Sequence, residues 1–535
     1  MGHADPFSPE AVPLPRAGAR AAAANDMYGF CSIEDFPPGI GDLSATHDDA
    51  QGFYNYVAQF VTPNFWFRDA SVLQWIYGET YDNYQDFYGF DSCAVVYHSG
   101  HGSMDANGVF WMPMGGDWGG ATWASSNDMR LGNEIARYVF LSTCFSLRVL
   151  GEMNPRKTWS ASNLGFRELF GFETVSIDSP NYGKFFWEEW SKNKSFSQAW
   201  LDASWRISTA QAPSAVAVGA TQAEAQDRLF NERTFSRAGT SAAWWWWRWY
   251  DVARALARPQ ATLPQTAKTA LFSPPDLSAP RLSELAEHYG IQLASLDGIE
   301  AAEHGLLLGG GRGEPTMTVD PRGISEVRFA DPDGGGRDAP KGDEAVRIAS
   351  AAIESFALAQ DSDLRADLVR TEMTAGTDGE ETTTPRTRET TVVYTQIIDG
   401  HPIVTPGIGE VRVSIDGAGT VTRVVDATLR IADVTAPPSR SAPPPPAGAE
   451  TSRMAQPRAA GSAIDDVLEP GVQRLLRRVA AGGHIPSQVR TVPDTTDIGY
   501  ALHGGEGTLV ARCTLEVDCG EGLRKRYVVE EPLGG

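Results

Sequence analysis

Apolar residues along this chain fall into short β-rich runs separated by stretches of helical period, the alternation that builds an α/β sheet. Residues 27–33 predict a first strand. A helix opened by Thr46 or His47 lines up Ala50, Phe53, Tyr54, Val57 and Phe60 on one face. Residues 94–97 and 139–143 are apolar enough for central strands, and 109–112, after Asn107-Gly108, predicts a return hairpin. Residues 162–169 predict a helix stopped by Gly171, residues 173–177 a further strand, and 185–191 and 197–207 two more helices. The expected fold of this half is α/β, a mainly parallel sheet with helices on both faces.

Beyond residue 258 the pattern becomes α+β. Proline, glycine and alanine rise, and 273–280 predicts a linker. Residues 316–329 predict a strand pair around Asp320-Pro321-Arg322-Gly323, and 344–359 a helix with Val346, Ala349, Ile353 and Phe356 near one stripe. Strands are expected at 391–397, 409–415 and 420–431. Val411, Val413 and Ile415 share one face, as a half-buried antiparallel sheet requires. The proline-rich segment 436–460 predicts an extended linker. A helix over 464–478 and a hairpin of 508–517 with 522–531 are expected in the tail, returning to complete the preceding domain's sheet. The domains expected are 1–25 extended, 26–258, 259–340, 341–435, the linker 436–460, and 461–535.

Two of the apolar runs end in reactive groups. Residues 90–102 read FDSCAVVYHSGHG, and residues 137–147 read RYVFLSTCFSL. Groups just past the carboxyl ends of parallel strands stand where α/β sheets build their sites. His101 and Cys144 are therefore candidates for base and nucleophile, because a thiol near neutrality needs a neighbouring imidazole to raise its thiolate fraction. Cys93, inside the first run, reads as core filling. His98 and His101 form an His-x-x-His pair that could ligate a metal. No carboxylate or thiol pair at ligand spacing accompanies it, so no metal is expected and His98 reads as a wall or orienting residue.

These two blocks resemble the clan CD cysteine peptidases: caspases, metacaspases, legumain, gingipains and separase. Tyr97-His98-Ser99-Gly100-His101-Gly102 is similar to the metacaspase Ser-Gly-His-Gly, and Val139–Cys144 to the separase-like Leu-Ser-Ala-Cys block. The resemblance spans residues 26–210 and implies a caspase-like sandwich and a peptidase needing no cofactor. It makes His101 the base, Cys144 the nucleophile, and the N–H groups of Gly102 and Cys144 the oxyanion hole. Ser142 stands where metacaspases carry an acidic residue, so their preference for Arg or Lys is not implied. Ser142, His98, Asp178 and Trp118 are candidate pocket residues, Trp118 from a Gly- and Trp-rich loop at 112–128. A peptidase-fold scaffold that no longer cuts is the alternative. Residues 340–435 resemble the PepSY and fungalysin/thermolysin-propeptide module through Gln396, Gly400, Pro402, Asp416 and Gly419, which implies an intramolecular inhibitor or a docking module.

Composition narrows the partners. A net charge of −23 argues against nucleic acid or an anionic membrane surface and leaves a protein or peptide substrate. Five cysteines (31, 93, 144, 513 and 519) make no disulfide framework, with a Cys513–Cys519 pairing left open. No secretory apolar segment and no membrane span is seen, so a cytoplasmic location is expected. Residues 242–250, AAWWWWRWY, predict an element packing its tryptophans inward, with a docking surface as the second reading.

Overall fold

The two apolar runs that end in His101 and Cys144 are neighbouring parallel strands of one large sheet. A computed structural model describes residues 5–7, 26–78, 82–255, 262–291, 306–309, 315–332, 336–435 and 460–533. The extended segment expected at 1–25 and the proline-rich linker at 436–460 lie almost wholly outside the described residues.

The first half runs β1 (Tyr28–Ser32), α1 (Thr46–Val57), β2 (Phe65–Arg68), α2 (Asp82–Tyr88), β3 (Val95–Ser99) and β4 (Ser103–Met104). It continues through β5 (Phe110–Trp118), β6 (Ala121–Ser125), β7 (Tyr138–Ser142), α3 (Pro155–Trp159) and β8 (Glu168–Phe172). Then come α4 (Tyr182–Trp190), α5 (Phe196–Trp205), β9 (Pro213–Gly219), α6 (Gln222–Asn231) and β10 (Trp244–Arg254). The second half holds β11 (Thr269–Phe272), α7 (Ala279–His288), β12 (Leu306–Gly309), β13 (Thr316–Val319), β14 (Ser325–Arg328) and α8 (Gly342–Ser355). Next are β15 (Asp363–Thr377), β16 (Arg386–Ile398), β17 (His401–Pro402), β18 (Glu410–Asp416), β19 (Val421–Asp426) and β20 (Ile431–Thr435). The tail is α9 (Ala460–Val479), β21 (Val489–Thr491), β22 (Asp497–His503), β23 (Glu506–Gly520) and β24 (Leu523–Pro532).

The fold is mixed α/β around a mixed sheet. Its order is β12-β13-β14-β19-β18-β16-β15-β10-β9-β8-β7-β3-β1-β2, with β17 beside β16. Only β2-β1-β3-β7-β8 pair in parallel; from β9 outward every pairing is antiparallel, which corrects the expectation of a mainly parallel sheet. The helix expected at 162–169 and the strand at 173–177 are also corrected. The strand beside β7 is Glu168–Phe172, and 173–176 is irregular, with an isolated bridge at Ile177. Leu169, Phe170 and Phe172 are all buried, a continuous apolar run that periodicity alone assigns to helix or strand equally well.

Alternation sorts each central strand between two cores. Tyr97 and Phe140 pack with α1, α4 and α5 on one face, while Val96, Val139 and Leu141 face the other. That second face is covered chiefly by the small sheet β4–β6, α9 and the C-terminal strands, rather than by the helical layer expected there. The tryptophan run is strand β10, in the middle of the sheet. Trp245, Trp247 and Trp249 enter one core, and Trp246 and Tyr250 the other. β10 pairs β15, so a single sheet runs from the first half into the region expected to be a separate module at 341–435. The tail does not complete that sheet. β23 instead pairs β11, β21, β22 and β24 in a sheet of its own, which β20 joins through β11.

A buried charge cluster ties the halves together. Asp202 on α5 meets Lys194 at 2.9 Å, Arg423 on β19 at 3.1 Å and Arg370 on β15 at 3.2 Å. These cations hold its carboxyl well below the ordinary range despite its burial. Among the described residues no helix is long and apolar enough to cross a membrane.

Candidate functional site

Register builds the site. Ser99 at the end of β3 pairs with Ser142 at the end of β7, so His101 and Cys144, each two residues further on, emerge side by side. Gly102 is required by this closeness: a Cβ there would stand 2.8 Å from the Cys144 carbonyl oxygen and 2.7 Å from the Phe110 ring. Phe145, next to the thiol, sits in the left-handed region at φ 56°, a strained placement for a bulky residue.

His101 is fully buried, with Phe36 against its ring at 4.8 Å. Its Nε2 lies 2.8 Å from the Gly41 carbonyl. A carbonyl can only accept, so Nε2 carries the proton and Nδ1 keeps its lone pair. Nδ1 is buried without a hydrogen-bond partner among the described residues. His98 is hydrogen-bonded through Nδ1 to the Tyr77 hydroxyl at 2.8 Å, and its Nε2 is likewise unpartnered. Burial, with the nearby Lys525 charge, pushes both imidazoles down to about 3, so both are neutral near neutral pH. The two rings are held by different partners, and among the described residues no group of three or more His, Cys, Asp or Glu is placed to hold a metal.

Cys144 is completely buried, and its thiol is not bonded to His101. Sγ donates to the carbonyl of Arg524 at 3.1 Å, lies 3.4 Å from Ser176 Oγ, and accepts from the Ser176 N–H at 3.3 Å. The hairpin β23–β24 supplies that carbonyl and covers the site. Arg526 donates its N–H to Ser176 O at 3.1 Å, and Asp178 donates to Arg526 O at 2.8 Å, a short parallel bridge centred on Ile177. Lys525, 2 % exposed, reaches inward and its Nζ donates to Ser176 Oγ at 3.1 Å. Cys519, on the same hairpin, accepts the Gly41 N–H at its carbonyl. Burial, with Cys144 close by, pushes the Cys519 thiol up to about 12. All five cysteines are free thiols, so Cys513 and Cys519 are not paired.

The structure gathers His101, Gly102, Cys144 and His98. Asp178 joins at the rim: its Oδ2 accepts from the Ser44 N–H and hydroxyl, and it lines a cavity of about 550 Å³ with Arg206, Arg322, Arg478 and Tyr527. Ser142 is not a pocket residue. Its hydroxyl turns to Asp49 on α1, which also accepts from Tyr97, Ser99 and the Gly183 N–H. Trp118 is not one either, lying with Trp75 and Tyr84 at ring distances of 6.4 and 6.0 Å.

Sequence reasoning missed Ser176, Arg524 and Lys525. Lys525 and its neighbours come from nearly 350 residues beyond Ser176, and no local pattern announces such a contact. It also missed a Ser32–His47–Asp69 chain with links of 2.8 and 2.9 Å. Ser32 is wholly buried there and accepts the Trp66 indole N–H, so its hydroxyl meets no substrate. An Asp twenty-two residues from a His carries no spacing signal.

A family model described as "Domain of unknown function (DUF6345)" matches residues 31–249. The match takes in both reactive strands and the Ser176–Asp178 edge, ends within β10, and stops short of the covering hairpin. No curated protein matches the chain.

Proposed function

We propose that the protein is a caspase-like cysteine endopeptidase held latent by its own C-terminal hairpin. One observation carries the reading: the Ser99–Ser142 register sets a neutral imidazole with a free Nδ1 and a thiol at adjacent strand ends, with a glycine backbone between them. The five parallel strands under α1, α4 and α5 support a caspase-like sandwich. In the same way, α8 packed on β15, β16 and β18 supports the PepSY-like reading of the later segment.

With the hairpin displaced, His101 Nδ1 takes the Cys144 proton and the thiolate attacks the scissile carbonyl carbon, forming the C–S bond. The N–H groups of Gly102 and Cys144 receive the oxyanion, each such donor contributing about 3–4 kcal/mol. The C–N bond then breaks, His101 returns the proton to the leaving amine, and water hydrolyses the thioester. The Ser176–Asp178 edge, where Arg526 now lies, offers an extended peptide the same main-chain hydrogen bonds.

The test incubates wild type and Cys144→Ala with a diverse peptide mixture, before and after mild limited proteolysis, and reads new termini by mass spectrometry. Cuts made by the wild type alone, and increased by the pretreatment, support a latent peptidase. Identical digests in both states remove the peptidase reading. A catalytically silent scaffold then leads, a reading favoured by the thiol's complete burial and its bond to the Arg524 carbonyl.

A further inference from the structure

The covering hairpin also records what the site selects. Along the start of β24 the side chains alternate: Leu523, Lys525 and Tyr527 are buried, and Arg524 is exposed between the first two. The main chain runs as an extended peptide would. The Arg524 carbonyl stands 3.1 Å from Cys144 Sγ, and two residues on, the Arg526 N–H and carbonyl pair with Ser176 and Asp178. Arg524 therefore marks the residue before a scissile bond, and Lys525 the residue after it.

The two positions are treated differently. The Arg524 guanidinium is half exposed and pairs at 3.5 Å with Glu516 of its own hairpin. Among the described residues no hydrogen bond or ion pair ties that side chain to the first half. Ser142, the candidate for a pocket there, bonds under the sheet to Asp49. Lys525 is enclosed instead, 2 % exposed, with Nζ donating to Ser176 Oγ at 3.1 Å. Ser176 is wholly buried, and its Oγ lies 3.4 Å from Cys144 Sγ. The neutral imidazoles of His98 and His101 feel the Lys525 charge, and among the described residues no carboxylate reaches it at ion-pair distance. One hydroxyl returns less than a buried ammonium loses in hydration. The slot thus has room for the length of this side chain and no partner for its charge.

We infer that the site selects substrates by the residue after the scissile bond, a long, unbranched and uncharged side chain, methionine or glutamine. Ser176 is the specificity-determining residue, its hydroxyl accepting from a glutamine amide where it now accepts from Lys525. The residue before the bond, lying outside like Arg524, is not selected. This rests on the peptidase reading and names its substrate class. A lysine of fitting length and unmatched charge lets the hairpin fill the slot and still yield it to such a peptide.

A random peptide library tests this on the full chain, with wild type after mild limited proteolysis and with Arg526→Pro. Proline there removes the N–H given to Ser176, which the β23–β24 ladder does not use. New termini read by mass spectrometry should show methionine and glutamine about tenfold enriched over lysine, arginine, aspartate and glutamate just after the cut, with no enrichment just before it. Ser176→Ala should lower the glutamine-to-methionine ratio, since only the amide uses the hydroxyl. A second measurement needs no cleavage: the Asp178 N–H, which bonds Arg526 O across the seam, should exchange more slowly in Lys525→Gln and faster in Lys525→Glu. Cuts that select the residue before the bond, or favour lysine after it, overturn the inference and leave the peptidase reading standing. Digests matching those of Cys144→Ala remove the peptidase reading and the inference with it. Faster exchange in Lys525→Gln than in wild type overturns the uncharged slot whatever the digests show.

Discussion

Replacing Lys525 by methionine should seal the candidate site more tightly. The ammonium is 2 % exposed, its hydrogen bond goes to the Ser176 hydroxyl at 3.1 Å, and among the described residues no carboxylate lies within ion-pair distance of it. Taking an ammonium out of water costs several kcal/mol even after relaxation, whereas one hydrogen bond from a charged donor returns about 1.5–3 kcal/mol. Desolvation wins, so the closed hairpin carries an unfavourable group that opening would hydrate. Methionine keeps the unbranched stem in the slot and removes the charge. The closed state should gain about 1–2 kcal/mol, and the opening constant should fall roughly 5–30-fold. Amide exchange reads this directly, since the N–H groups of Arg526 and Asp178 bond across the seam. Their exchange should slow by that factor in Lys525→Met, with exchange inside β3 and β7 unchanged. Faster exchange at the two amides would refute the reasoning and make the ammonium a clamp.

Other outcomes follow from the same geometry. His98 and His101 titrate at about 3 when folded against an ordinary 6.5, so the unfolded chain binds more protons between those values. The stability they contribute is complete above about pH 6.5 and is lost as pH falls toward 3, by roughly 1.4 kcal/mol per unit for each ring; urea midpoints from pH 7 to 5 should fall, and less steeply in His98→Gln. Gly102→Ala places a methyl against the Cys144 carbonyl and the Phe110 ring and should cost about 1–3 kcal/mol, read as a lower Tm. Asp202→Ala leaves Lys194, Arg370 and Arg423 buried without their shared carboxylate, and should destabilise by about 3–5 kcal/mol in chemical denaturation.

The parts legible in the sequence were those that periodicity and adjacency control. The runs before His101 and Cys144 announced strands because every residue of β3 and β7 is buried and, His98 apart, apolar, aromatic or small. The pair around Asp320–Gly323, α8, and the β23–β24 hairpin followed from turn residues and helical stripes. Strand β15 escaped because its mixed sequence, DLRADLVRTEMTAGT, hides its burial: Arg370 and Glu372 sit inside, matched by partners from other elements. The segment 162–177 was misread because an apolar run flanked by glycines fits helix and strand alike. Ser142 became a pocket candidate through its place two residues before Cys144, whereas strand alternation sends its side chain under the sheet to Asp49.

The bond from Cys144 to the Arg524 carbonyl spans 380 residues of chain. Closing so long a loop in one step would cost about 5 kcal/mol in chain entropy, far more than that one bond returns. The contact therefore forms only after the intervening sheets have drawn the ends together, which makes it a late event in folding. Until β24 arrives, a growing or refolding chain carries its histidine and thiol in an uncovered cleft. Any reactivity the protein has is thus expressed first toward itself and its neighbours, before the finished molecule closes over it.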